Sequence, residues 1–578
     1  MTASSDLTPS RRVLIIGWDG ATFDLIEPWI QQGHLPNLAR LMANGTSRRL
    51  RSTVPTLSPP AWTSFITGKN PGRHGTFDFF RRNPSNYELL TVRNDLPSLG
   101  TLFHWASHHG LQVGAVNVPF TYPPEPVNGF MISGLGSAPE WEFVYPPSLK
   151  SEILQRDYRI DNPVRYEGDN DAAYLQAALE TTRIRAETAL HLMRTRPWDL
   201  FMTVFMNIDQ ILSFMWHHMD ETHPRYDPTI SPQFQQAPLE LHKYLDQVLG
   251  EMVALAGEEA TVVVGSDHGM GPLYKEVFLN SWLEQKGYLV RRQRSAAANS
   301  YSTLARKLGF SRERIWRRIG RARTQAAKAL LPQWLHVLVP TEHKSLTEVV
   351  DWSKTVAYSF GNVGQIFVNV RGREPEGIVS PGQEYEQTIQ NLMTDLQNWL
   401  DPEDNLPVIS ELYRREQLYD GPHFDRAPDL NIIMRDYSYI TVMRREFAGD
   451  GTTLQSCDSM SGFHRREGIF VLHGPHIQSA NLPPANITQV TPTILYALGL
   501  PLPEDMDGKP TVEAFDPDYV TTFPQQTIEA HHTITSSTTL STSEEAEIQK
   551  RLQDLGIWAN LDQNTPLVIQ TGYGRKHP

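Results

Sequence analysis

Three short runs constrain what this chain can fold into. They are Val13-Leu-Ile-Ile-Gly-Trp-Asp19-Gly20, Leu200-Phe-Met-Thr-Val-Phe-Met-Asn-Ile-Asp209 and Thr261-Val-Val-Val-Gly-Ser-Asp267-His268-Gly269, each mostly apolar until an aspartate ends it. A strand with one wet face alternates apolar and polar residues. A continuously apolar run instead marks a strand covered on both faces, the habit of parallel sheets. A helix-like stretch, from about Thr22 to Ala43, follows the first run. Amphipathic stretches from about Ala172 to Met193 and from about Leu239 to Ala256 precede the other two. Helix alternating with buried strand predicts an α/β fold, a doubly wound and mostly parallel sheet with helices on both faces. The carboxyl ends of strands in such a sheet form the ligand crevice. Asp19, Asp209 and Asp267 are therefore expected at one edge of the molecule.

The 578 residues leave room for one large α/β domain with insertions. Residues 12–285 and 350–514 read as that catalytic domain. Residues 1–11 read as a disordered polar tail, 515–543 as a Thr/Ser-rich linker, and 544–578 as a short helix with a tail. Residues 286–349 read as a basic helical insertion, a cap. Between Arg291 and Lys328 stand twelve Lys or Arg and a single acid, Glu313, with Trp and Leu interleaved. A solvated helical cap explains such a charge run. A lid for an anionic substrate, or a peripheral contact with acidic lipid, explains it as well.

Fifty-two basic and sixty-five acidic residues leave a net charge of −13. A field of that sign does not attract nucleic acid, and no specific nucleic-acid partner is expected. Cys457 is the single cysteine, which excludes a disulfide scaffold and any multi-cysteine zinc or iron–sulfur site. No apolar run approaches the ~18 residues of a membrane span, and the first twelve residues lack an apolar signal core, so a soluble cytoplasmic protein is expected.

The chemistry centres on Pro55-Thr-Leu-Ser58-Pro59-Pro60-Ala-Trp62-Thr-Ser-Phe-Ile-Thr-Gly68. A serine before a proline, with a helical run behind it, is expected at a helix start, where free backbone N–H groups favour an anion. Serine is a poor nucleophile until a base or a metal lowers its pKa. The strand-end carboxylates and nearby histidines could hold that metal. Each residue also has a plainer reading. Asp19 and Ser58 could cap helices, His464 could be a loop histidine, and His217 and His218 could serve packing. Trp62 could be helix core or the floor of a pocket.

Taken in order, Gly17-Trp-Asp19-Gly20, Pro55-Thr-Leu-Ser58-Pro59, Ser266-Asp267-His268-Gly269, Gly462-Phe-His464-Arg465 and Thr491-Pro-Thr-Ile-Leu495 with Asp505-Met-Asp507-Gly508 resemble the type I phosphodiesterase/nucleotide pyrophosphatase family of the alkaline phosphatase superfamily. The resemblance runs from about Val13 to Gly508. It implies a metal-dependent hydrolase of phosphodiester or pyrophosphate bonds acting through a Ser58 phospho-enzyme, on a phosphorylated small molecule, a nucleotide, or a lipid or glycan headgroup. It implies two divalent metals, usually zinc, with manganese or iron as alternatives. Asp19, Asp267, His268 and Ser58 would touch one, and Asp209 and His464 the other. The resemblance also requires a histidine four residues after Asp209, and this chain has Ser213 there. That departure opens a second reading, a metal-poor relative that binds a phosphorylated ligand without turning it over. A third is a transferase of phospho-headgroups. Sulfatases share the fold but need Arg where Trp62 stands, which disfavours sulfate esters.

Overall fold

The computed structural model describes residues 9–10, 12–92, 96–292, 346–441, 447, 451–530 and 542–554. A ten-stranded sheet forms its centre. Five adjacent strands run parallel in the order Ala260–Gly265, Arg12–Trp18, Leu200–Phe205, Val113–Val118, Gly129–Ser133. On one side Glu467–His473 adds antiparallel to Ala260–Gly265, with Thr46–Arg51 beyond it, and Val144–Tyr145 closes the other edge.

Burial on both faces explains the unbroken apolar runs. Val13 and Ile15 pack into one core cluster with Trp62, Phe65 and Met202. Leu14, Ile16 and Trp18 pack into a second with Phe201, Ile211 and Leu249. Successive strand residues point to opposite faces, so each face must be apolar. The long helices Asp171–Thr195 and Ala237–Ala256 cover the second face. The wholly buried helix Ser58–Thr67 lies against the first.

Three local expectations change. The stretch Thr22–Ala43 is two helices, Phe23–Gln31 and Pro36–Ala43, broken where Gly33 takes φ 79° and Pro36 starts a new first turn. The run ending at Asp209 is strand only to Phe205. Asn207 opens the helix Asn207–Met219, and Asp209 lies in its first turn. Within the segment expected as a linker, Pro517–Thr522 is helical, Thr527–Ile528 pairs with Leu502–Pro503, and Phe515 and Tyr519 are buried in the first core cluster. Aromatic anchors hold this stretch to the body despite its polar composition.

A second, smaller sheet of four antiparallel strands is built from Ala357–Phe360, Gln365–Val368, Leu430–Met434 and Ile409–Arg414. Its Ile366 and Leu430 belong to the same core cluster as Trp62, so it packs as part of one body with the main sheet. The final described helix, Thr542–Asp554, buries Ile548 and Leu552 in that cluster. Most of the basic segment, residues 293–345, lies outside the described residues, as do 1–8 and 555–578. Among the described residues no helix is long and apolar enough to cross a membrane.

Candidate active site

Strand register places the aspartates. Gly17 pairs with Val204 on one side and Gly265 on the other, so Asp19 and Asp267, each two residues further on, leave the sheet side by side. Asp209 is tied in by its backbone, its amide donating to the Asp19 carbonyl at 3.1 Å. Gly20 makes this approach feasible. Its φ is 74°, and a Cβ there would stand 3.0 Å from Cβ of Asp209. Gly462 does the same for the strand that carries His464, since a Cβ at Gly462 would collide with the Leu212 carbonyl of the Asp209 helix.

Ser58 is the first helical residue of Ser58–Thr67, with Leu57 in extended conformation before it. Its hydroxyl caps nothing and lies 3.4 Å from Nε2 of His268. The expected fan of free amides is largely absent: Pro59 and Pro60 carry no N–H, and the Ala61 amide is bonded to the Leu57 carbonyl. What remains is the helix dipole, whose positive end favours negative charge at the Ser58 oxygen.

Two histidines complete the site, and their outer nitrogens fix their tautomers. His268 donates from Nδ1 to the Gly269 carbonyl at 3.1 Å, which leaves a lone pair on Nε2. That lone pair lies 3.2 Å from Asp267 Oδ2 and 3.7 Å from Asp19 Oδ1. His464 donates from Nδ1 to the Thr56 carbonyl at 2.5 Å, and its Nε2 faces Asp209 Oδ1 at 3.2 Å. The two imidazoles stack at 3.6 Å between centroids, and Phe463 stacks beneath His464 at 4.5 Å.

The electrostatics of the two halves differ. Asp19 and Asp267 are wholly buried. Burial raises Asp19 well above the usual carboxylate range, the charges of Asp267 and Asp209 add to this, and the Trp62 N–H opposes it. Burial pushes Asp267 up to about 7, against the pull of His464 and of nearby backbone amides. Burial drives His268 down to about 3, so it is a neutral imidazole. Burial alone would raise Asp209, but His464, His268 and Ser213 outweigh it and hold it below its ordinary value. Burial alone would lower His464, but Asp209 outweighs it and holds it up.

Asp19 Oδ1 and both oxygens of Asp267 have no hydrogen-bond partner of good geometry; only the backbone amides of Gly20 and Asp267 itself lie near the Asp267 carboxylate, too weakly to offset its burial. With His268 Nε2 they make a convergence of buried acceptors that lacks a positive centre, and such groups are costly unless paired or coordinated to a metal. Ligand atoms of Asp19, Asp267 and His268 lie within 4.8 Å of one another, as do those of Asp209, His268 and His464. Carboxylate oxygens with imidazole nitrogens are a donor set for zinc, manganese or iron. The residues fit a divalent cation on this ground.

All six residues singled out in the sequence, Asp19, Ser58, Asp209, Asp267, His268 and His464, thus meet at one place. Ser213 stands one turn after Asp209, its hydroxyl 3.4 Å from Asp209 Oδ1. His217 is engaged elsewhere, its Nδ1 sharing a hydrogen bond with Ser461 Oγ at 2.9 Å, and His218 pairs likewise with Ser231. His74 is engaged with Ser64 of the helix Ser58–Thr67 at 2.9 Å. One contributor was not assigned from sequence. Trp62 is fully buried and its Nε1 donates to Asp19 Oδ2 at 2.7 Å. The signal available was the general need of a buried indole N–H for an acceptor.

The family model for type I phosphodiesterase/nucleotide pyrophosphatase matches residues 13–462. The chain belongs to this family. As a type I phosphodiesterase/nucleotide pyrophosphatase family member it is a phosphohydrolase, and the family works with divalent metals. No curated protein matches the sequence. Among solved structures, phosphonoacetate hydrolase from Sinorhizobium meliloti 1021 in complex with phosphonoformate is similar at 14% identity and a TM-score of 0.50, over 85% of this chain and 95% of that one. Human ectonucleotide pyrophosphatase/phosphodiesterase 5 aligns at 12% identity and a TM-score of 0.43, over 89% and 99%. The first likeness agrees with the alkaline-phosphatase-like fold of this family member.

Proposed function

We propose that the chain hydrolyses phosphodiester or pyrophosphate bonds of phosphorylated small molecules, nucleotides or lipid and glycan headgroups among them, by attack of the Ser58 hydroxyl on phosphorus. The observation that carries this reading is that Ser58 Oγ and the buried carboxylates of Asp19 and Asp267 meet around one atom, His268 Nε2, at 3.4, 3.7 and 3.2 Å. Asp19, Asp267 and His268 would hold one divalent cation and Asp209 with His464 the other, zinc first, manganese or iron as alternatives. When bound, such cations lower the pKa of a hydroxyl and offset charge on a transferred phosphoryl group.

The chain's own residues do the rest. The helix start holds Ser58 at the rim of the buried carboxylates and favours its oxyanion. Ser58 loses its proton to solvent, its oxygen bonds phosphorus, and the bond to the leaving oxygen breaks. That oxygen takes up a proton from solvent. Water then attacks the phosphoserine and restores the hydroxyl. The Gly269 and Thr56 carbonyls hold both imidazoles so that Nε2 faces inward, which orients them as ligands.

A second reading, binding of a phosphorylated ligand without turnover, draws on Ser213 and the existing Asp209–His464 contact. Turnover of bis-p-nitrophenyl phosphate by protein of measured metal content separates the two. Metal-dependent turnover that disappears in Ser58→Ala supports hydrolysis. Binding of phosphate with no turnover in zinc, manganese or iron overturns it.

A further inference from the structure

The two acceptor clusters share His268, and an imidazole whose Nδ1 is committed to a carbonyl has one lone pair to give. It lies closer to the first cluster, 3.2 Å from Asp267 and 3.4 Å from Ser58 Oγ. Counting strong donors then gives unequal sites. The first has two carboxylates, His268 and the Ser58 oxygen, a complete tetrahedral set. The second has Asp209 and His464, with only the neutral Ser213 hydroxyl beside them.

Their hydrogen bonding is unequal in the same sense. Three oxygens of the first cluster have no well-formed hydrogen bond, the nearest donors being the Gly20 and Asp267 backbone amides. Asp209 Oδ1 already accepts a hydrogen bond from the Ser213 hydroxyl at 3.4 Å. A cation entering there must displace that bond, whereas one entering the first cluster meets carboxylate oxygens with no well-formed hydrogen bond to break. Among the described residues no further carboxylate, cysteine or histidine joins Asp209, His464 and the shared His268. The Asp209 helix is continuous through Met219. The next histidine on it, His217, lies about 12 Å along the axis at ~1.5 Å per residue and is bonded to Ser461. The Ser461 amide also bonds the Ser213 carbonyl at 2.9 Å, which pins this turn in place.

We propose that the site loads asymmetrically: Asp19, Asp267 and His268 hold a resident divalent cation, and the Asp209–His464 cluster takes a second only when a phosphoryl group supplies the missing oxygen ligands. This rests on the metal-dependent reading above and adds to it a regulation, because the second cation arrives with substrate.

The test counts zinc on the full chain by equilibrium dialysis at fixed micromolar free zinc, with and without orthovanadate as the phosphoryl probe. The expected result is about one zinc per chain without vanadate and about two with it. Ser213→His supplies an imidazole one turn from Asp209 and is expected to bind two without vanadate, the second at least ~10-fold tighter than in wild type, since changes around metal ligands typically cost 10–100-fold. Two zinc ions on the wild type without vanadate overturn the proposal, as does a count of one that vanadate leaves unchanged. Those wild-type counts stand even if the variant fails to fold. No zinc under either condition overturns the metal-dependent reading itself.

Discussion

Trp62→Phe tests whether the buried indole is packing or part of the metal site. The ring fills space above Gly17, where an added Cβ would stand 2.6 Å from its Cη2, and it packs on Phe65 at 5.1 Å between centroids. Phenylalanine keeps an aromatic ring there and removes the N–H that reaches Asp19 Oδ2 at 2.7 Å. A hydrogen bond to a charged group contributes about 1.5–3 kcal/mol, and the lost pyrrole portion adds a cavity cost of about 1 kcal/mol. Asp19 Oδ1 already has no donor, so the variant leaves the carboxylate free to rotate away from His268 and Asp267. Zinc affinity, read by competition with a chromophoric chelator, is expected to fall ~10–100-fold. Phe65→Leu, a packing change in the same helix, is the control. It should lower thermal stability comparably while leaving zinc affinity within about twofold. If folded Trp62→Phe binds zinc as tightly as wild type, the indole is packing only and the reasoning fails.

Ser58→Ala should reduce turnover of bis-p-nitrophenyl phosphate by ~10⁴-fold or more with unchanged circular dichroism, and retention of a tenth of the rate would rule out a serine nucleophile. His217→Ala should leave zinc stoichiometry unchanged in dialysis, because its ring is committed to Ser461; a lost zinc would place it in the site. Burial alone would raise Asp429, but the Arg373 guanidinium, at 2.7 and 2.6 Å, outweighs it and holds the carboxyl below its ordinary value. A depressed folded pKa gives stability that is present above about pH 4 and lost as pH falls further, so Asp429→Asn should flatten the acid limb of a pH–stability curve below pH 4, and an unchanged limb would refute the assignment.

What was legible in the sequence was whatever burial had written as a pattern. The strands Arg12–Trp18, Leu200–Phe205 and Ala260–Gly265 must be apolar on both faces, and such runs stand out. Asp19 and Asp267 follow directly from them. Asp209 is at the expected edge of the sheet but on a helix, because Met206 and Ile208 carry apolar residues across the strand–helix junction and the single polar Asn207 between them is too short a signal to mark the change. The four-stranded sheet was missed for a related reason. Its strands are four to six residues long, and a long excursion that includes the helix Gln383–Gln397 splits the hairpin 357–368 from the other two. Segment 515–530 reads as polar, yet Phe515 and Tyr519 fasten it. The Trp62–Asp19 bond joins residues forty-three apart in the sequence, and no local pattern carries it.

A site that fits a cation this closely should destabilise the chain that lacks one. Asp267 is buried, the backbone amides near it do not offset that burial, and its pKa is pushed up to about 7. In chelated protein above that pH the fold must bury an anion that the unfolded chain would hydrate. Asp267→Asn removes the charge, and its amide can donate toward Asp19 Oδ1, which also lacks a donor. After the amide's own burial is counted, the gain is on the order of 1–3 kcal/mol, or about 1–3 °C of melting temperature for a chain this long. The size of the gain depends on pH. A raised folded pKa gives stability that is fully present below about pH 4 and lost as pH rises through about 7, so the variant's advantage should be large at pH 8 and small at pH 5. Zinc should reverse the order. A ligand at 100 times its Kd stabilises the wild type by ~2.7 kcal/mol, and the variant, which lacks one of the two buried carboxylates, should gain far less. Scanning calorimetry of both proteins in chelator and in zinc, at both pH values, reads all of this in one series. A chelated variant that melts below wild type at pH 8 would mean that the fold already matches the Asp267 carboxylate, and the argument for a cation between Asp19, Asp267 and His268 would lose its physical basis.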